Sequence, residues 1–147
     1  MLKNVMTPAL ICASSLFTTA CSTEDIRGVL VGSFVDEEPM VTSIVIPASR
    51  GNEYHMHFGL LQDNRVCLLS GEIPTATLSF FQPCEGLSGT AKISCNDGRS
   101  LNLRWSLTSC QGGYGRSDER ADSRFFFGFG DSEERARDQL DRARRED

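Results

Sequence analysis

Between residues 89 and 110, apolar and polar side chains alternate on both sides of an Asn-Asp-Gly-Arg break. Ala91, Ile93 and Cys95 interleave with Thr90, Lys92 and Ser94; beyond the break, Leu101, Leu103, Trp105 and Leu107 interleave with Asn102, Arg104, Ser106 and Thr108. A period of two sends each set to its own side of an extended chain, so the stretch predicts a β-hairpin with one apolar and one wet face. Asp97-Gly98 is expected at the turn, because glycine takes positive φ without a Cβ clash.

The same reading extends in both directions. Strands are expected over 26–35, 41–46, 53–61 and 65–73, and 75–81 fits a further one; Pro47, Pro74 and Pro83 and the polar turns at 36–39, 49–52 and 62–64 punctuate them. Displacing the central hairpin by 24 residues carries Gly89 onto Gly113, and Leu101, Leu103 and Trp105 onto Phe125, Phe127 and Phe129. Two successive hairpins of similar form are therefore expected, with Trp105 buried against the aromatic strand. Residues 131–147 change period. Asp131 followed three residues later by Glu134 reads as a capping box, and acid-then-base pairs at Glu133–Arg137, Asp138–Arg142 and Asp141–Arg145 support a helix. Its apolar stripe is only Ala136, Leu140 and Ala143, which predicts a helix lying shallowly on the sheet or fraying near Arg144. Its charged residues read as a solvated face, with a partner-binding tail as the alternative. The fold class is thus all-β, an antiparallel meander sheet or a small open barrel or sandwich of hairpins, with one C-terminal α-helix.

Cysteines and the first twenty residues set the compartment. Lys3 is followed by an apolar run over 5–17, then by Thr18-Thr19-Ala20 and Cys21. A basic start, a short apolar stretch and small residues before a cut are the marks of an export signal, and the run is shorter than the ~20 residues that span a bilayer. The ending resembles the lipobox of bacterial lipoproteins, in which the thiol of the cysteine becomes a diacylglyceryl thioether and the signal is cut just before it. Thr18 stands where that family prefers Leu. The resemblance implies a signal peptide over 1–20, lipidation of Cys21 with palmitate among the acyl groups, and a tether over 21–25. A β domain over 26–130 and the helical 131–147 follow. Ser22 rather than Asp after the cysteine implies the outer membrane if the host has one. The alternative is an ordinary signal and a secreted or periplasmic chain.

Cys12 falls within the signal, and Cys67, Cys84, Cys95 and Cys110 remain. Four cysteines in a small exported domain read as two disulfides; zinc is disfavoured because no C-x-x-C pair occurs. In the expected hairpin Cys95 lies near the turn, and Cys110 lies nine residues farther down the return strand than the residue opposite Cys95. That is on the order of 30 Å, too far to bridge. The same register brings Cys110 close to Cys84. Cys84–Cys110 and Cys67–Cys95 are therefore the expected pairs.

Cys67 to Gly71, Cys95 to Arg99 in a Cys-x-Asp-Gly-Arg run, and Phe127 to Gly130 closing a glycine-rich hairpin resemble, over about residues 65–130, small exported bacterial lipoproteins of uncharacterised role. The resemblance implies a disulfide-stapled β domain rather than an activity.

Charge and candidate chemistry narrow the function. The chain carries 15 basic and 20 acidic residues; removing 1–20 takes away Lys3 and no acid, leaving −6. That balance disfavours nucleic acid and anionic lipid surfaces. His55 and His57 are the only histidines, two apart on an expected strand and so on one face, with Glu53 on that face too. They are the residues a metal site would use, but no further ligand is evident, and a half-exposed polar face is the simpler reading. Gly86-Leu87-Ser88-Gly89 lacks the G-x-S-x-G spacing, and Gly112-Gly113-Tyr114-Gly115 lacks the lysine of a phosphate loop. The expectation is a lipid-anchored envelope protein of structural or binding kind, held to the membrane by its lipid, with an envelope protein as partner. No catalytic residue, cofactor or nucleic acid enters this reading. The alternative is a small metal-handling protein or hydrolase using His55 and His57.

Overall fold

In the computed structural model, residues 26–46, 53–74, 84–118 and 123–146 are described. The expected signal and tether, with Cys21, lie outside them, as does the strand expected at 75–81. Eight strands precede one helix: β1 Ile26–Phe34, β2 Met40–Ile46, β3 Glu53–Gln62, β4 Arg65–Pro74, β5 Ser88–Cys95, β6 Ser100–Ser109, β7 Gly112–Ser117, β8 Phe125–Gly130 and α1 Glu133–Arg145. All pairings are antiparallel, in the order β2-β1-β8-β7-β6-β5-β4-β3. Pairing of β8 with β1 joins the ends of the meander, from Val29 opposite Gly130 to Phe34 opposite Phe125. The outer strands β2 and β3 come to lie beside each other, so the sheet is nearly closed into a barrel. Across that seam the Gln62 amide donates to the Glu38 carbonyl at 3.2 Å.

The alternation places the core. Leu30 and Phe34 of β1, Met40 and Ile44 of β2, and Leu60 of β3 turn inward, as do Cys67 and Leu69 of β4 and Ile93 of β5. Leu101, Leu103 and Trp105 of β6 and Phe125 and Phe127 of β8 complete the interior, where every one of these residues is buried. Eight closed strands leave an interior about wide enough for side chains to fill. Here rings do much of the filling: Phe34 meets Phe125 edge-on at 4.9 Å, and Phe125 stacks on Phe127 at 6.3 Å.

A second, smaller core lies outside the sheet, where Ala136, Leu140 and Ala143 of α1 bury Val31 and Phe126. The three-residue stripe suffices because the strand beneath it is bare at Gly128 and Gly130. A Cβ at Gly128 would collide with the Ala136 carbonyl and the Leu140 amide nitrogen, so the helix backbone rests directly on β8. The expected shallow contact is therefore corrected: all three stripe residues are 2% exposed or less. Nor does the end fray at Arg144. The amide of Glu146 closes on the Arg142 carbonyl, and the Glu146 side chain takes hydrogen bonds from Tyr114 and Arg142.

Two further expectations are revised at element ends. Ser132, not Asp131, caps the helix, its Oγ accepting from the Arg135 amide; Asp131 instead pairs with Arg135 one turn on at 3.3 Å. Glu133–Arg137 forms as expected, whereas Arg142 turns to Glu146 and Asp141 to Arg144. In the central hairpin, Cys95 bonds Arg99 across three loop residues, and Gly98 at φ 94° follows a turn closed onto the Cys95 carbonyl. The loop is therefore Asn96 to Gly98, with the expected glycine at positive φ. It sets Cys95 opposite Arg99 instead of Leu101, a shift of two, and so leaves every side chain on its expected face.

Candidate functional site

The four turns joining β1 to β2, β3 to β4, β5 to β6 and β7 to β8 gather at one end of the barrel. Three of them supply a closed set of charges. Glu37 accepts from Arg65 and from Arg99, the latter at 3.0 Å, while Asp97 accepts from Arg99 Nε at 2.9 Å and forms an ion pair with Arg65 at 3.1 Å. Each acid thus bridges both arginines, and the Arg99 guanidinium lies over the Phe34 ring at 3.9 Å from its centroid. Burial alone would raise the Glu37 carboxyl, but hydrogen bonds and charge from Arg65 and Arg99 outweigh it and hold it below the usual carboxylate range. The Arg99 side chain and amide depress Asp97 in the same way, and Asp97 in turn raises Arg99.

This arrangement gives the Cys-x-Asp-Gly-Arg run a physical meaning. Cys95 bonds Cys67 directly across β4 and β5, Asp97 accepts the Arg99 amide at 3.1 Å, Gly98 makes the turn, and Arg99 seals the aromatic core. Asn96 adds a second stitch, exchanging hydrogen bonds with Val66 and donating to the Asn64 carbonyl. Sequence reasoning singled out the motif but missed Glu37 and Arg65. Glu37 lies in the β1–β2 turn and Arg65 begins β4; pairing of β4 with β5 and the curling of the sheet bring them to Arg99. With both cations and both acids mutually paired, the cluster acts as a plug for this end of the core.

At the opposite end the second disulfide joins Cys84 to Cys110. The Gly86 amide donates to the Leu107 carbonyl, and Leu107 and Leu87 continue the ladder. The two expected bridges therefore close opposite ends of the β4–β5–β6 wall. His55 and His57 lie on β3 with backbone positions opposite Glu72 and Ser70, and their side chains lie outside what the structure describes. Among the described residues no group of three His, Cys, Asp or Glu side chains stands together as a metal site. A shallow cleft of about 100 Å³ lies where α1 meets the β6–β7 turn, lined by Thr108, Gln111, Phe129, Arg135 and Gln139 among others. It is partly filled by the Thr108 hydroxyl reaching Gln139 at 3.1 Å.

The two sides of the barrel differ sharply. The wall of β7, β8 and β1 is covered by α1. The opposite wall, β2 to β4, carries no helix and exposes Val41, Val45, Leu61, Val66 and Leu68, with Leu61 at 67% of its free area. No family model, curated protein or solved structure matches this chain.

Proposed function

We propose that the chain is a lipid-anchored protein of the bacterial cell envelope, with a binding or structural role. The observation that carries this reading is the pair of disulfides, which suggests a protein that resides outside the reducing cytoplasm. Among the described residues no helix is long and apolar enough to cross a membrane. An acyl group on Cys21, four residues ahead of the domain at Ser22 to Asp25, supplies the attachment instead. The family resemblance of the Cys-x-Asp-Gly-Arg hairpin supports the same assignment. A core packed with Phe and Trp side chains and plugged by the Arg65–Arg99 cluster suits a rigid body that offers its outer surface to a partner. Ser22 after the acylated cysteine favours the outer membrane where the host has one. The test is labelling of cells with tagged palmitate followed by membrane flotation. Wild type should carry label and float with membranes, while Cys21→Ala should lose both; unlabelled, soluble wild type would refute the anchor.

A second reading, a metal-handling protein or hydrolase using His55 and His57, draws on the register that sets His55 opposite Glu72. Calorimetric titration with Cu²⁺ and Zn²⁺ separates the two. Tight binding abolished in the His55→Ala, His57→Ala variant would favour this second reading over the first.

A further inference from the structure

We infer that the bare β2–β4 wall rests on the membrane surface, so that the barrel lies on its side with α1 facing away from the bilayer. The inference rests on the lipid anchor proposed above. Its first support is the chain outside the structure and the place where it joins the fold. Cys21 to Ile26 spans at most about 17 Å when fully extended. Ile26 enters β1 directly opposite Ile46, and Arg27 stands opposite the exposed Val45 of β2. The tether thus emerges at the edge of the wall, one strand from the seam. An acyl chain at the far end of so short a tether keeps Val45 near the lipid surface. Rotation about that point brings Val41, Leu61, Val66 and Leu68 down with it.

The described part of the wall, from β2 across the turn-end halves of β3 and β4 to β5, is nearly free of charge. Among the described outward residues of β2 to β5, Lys92 is the only charged side chain, flanked by Ser70, Ser94 and Thr90, and none is a carboxylate. The acids of the helical segment, Asp131, Glu133, Glu134, Asp138 and Asp141, stand exposed on the opposite wall. A body turned in this way presents the described aliphatic part of the wall to phospholipid and the charges of the helix to solvent. Apart from Arg65, which is tied to Glu37 and Asp97 at the turn end, the described side chains of the wall include none of the Trp, Tyr and Arg anchors that concentrate energy in protein interfaces, which favours lipid over a protein partner. Five half-exposed aliphatic side chains bind a bilayer weakly on their own. Tethering makes the contact intramolecular and turns weak affinity into a fixed orientation.

The full, lipidated protein is reconstituted into phosphatidylcholine vesicles whose acyl chains carry a photoactivatable carbene precursor, and labelled peptides are mapped. Several-fold enrichment of label on the strands holding Val41, Val45, Leu61 and Leu68 over α1, unchanged in high salt, is the expected result. The Leu61→Asp, Leu68→Asp variant should keep both disulfides and still float by its acyl group, yet lose the enrichment. Equal labelling of the two walls in protein that floats overturns the orientation and leaves the anchor standing. Failure to float refutes the anchor and the orientation together. In native envelopes, a protein cross-linked to the wall without lipid labelling overturns the inference in favour of a protein interface.

Discussion

Gly89 and Trp105 stand opposite each other on β5 and β6, and the indole lies so close over the glycine that a Cβ there would collide with it. Twenty-four residues on, Gly113 and Phe129 stand opposite each other on β7 and β8 in the same relation, with the phenyl ring over the glycine. The displacement also carries the Ala91–Leu103 pair onto Gly115–Phe127. The two hairpins therefore share backbone register and a way of filling the interior, in which a small residue on one strand makes room for a large one on the next. Trp105 is 6% exposed, and its indole N–H reaches the Thr90 carbonyl at 3.2 Å, so its polar atom is satisfied.

Because ring and glycine share one volume, their substitutions should not add. Trp105→Ala should cost about 3–5 kcal/mol, as for a large aromatic removed from a packed core. Gly89→Val alone should also destabilise by overpacking. The double variant should be less damaged than the sum of the two, since the new side chain enters the space the ring leaves. Urea unfolding of the four proteins measures this coupling; strict additivity would mean that the two residues do not compete for space.

The disulfides close loops with sequence separations of 28 and 26 residues. Each should contribute about 3 kcal/mol, chiefly by restricting the unfolded chain. Non-reducing peptide mapping should recover Cys67–Cys95 and Cys84–Cys110. Reduction should lower the melting temperature, and Cys84→Ala with Cys110→Ala should reproduce only part of that loss.

Much of this fold is legible in the sequence because strand alternation is local. The faces of β5 and β6, the repeated hairpin and the cysteine pairing all follow from a period of two. The register across the loop at Asn96 to Gly98 was missed by two because an Asp-Gly pair suits more than one loop length, and only the backbone bonds of Cys95 distinguish them. The cap was misplaced by one residue because Asp131 and Ser132 are both good caps, and the side chain that reaches the Arg135 amide decides between them. Closure of β8 on β1, and with it the meeting of Glu37 with Arg65 and Arg99, spans dozens of residues and leaves no local trace. The wall beneath α1 was unreadable for a related reason. Gly128 looks like an interruption in an aromatic strand until a helix backbone is placed on it.

The plug at the turn end should make stability depend on acid. Glu37 and Asp97 are held below their ordinary values in the folded chain, so they bind protons less readily there than when unfolded. Their contribution is fully present above the unfolded carboxylate range, about pH 4, and is lost as pH falls through the lower folded values. Both groups are partly exposed, so solvent and salt weaken the effect. The urea midpoint should decline below about pH 4, and the decline should be shallower in Glu37→Gln, Asp97→Asn. An identical slope in that variant would assign the acid sensitivity to other carboxylates.

The contact between α1 and β8 makes the last prediction. Ala136 and Leu140 meet the strand through backbone atoms at Gly128, so any side chain at that position must push the helix off its seat. Gly128→Val should therefore expose Phe126 and Val31, which the helix now buries, while leaving the barrel interior intact. The helix would lose its stripe contacts and also the ties of Tyr114 and Arg116 to Glu146. An isolated helix of 13 residues is only marginally stable in water. Amide hydrogen exchange should show α1 opening much more often in Gly128→Val, with β5 and β6 protected as before. Leu140→Ala, which removes the largest side chain of the stripe, should open the helix by a smaller factor and cost about 2–5 kcal/mol. A helix equally protected in both variants and wild type would show that its seat does not depend on the bare strand beneath it.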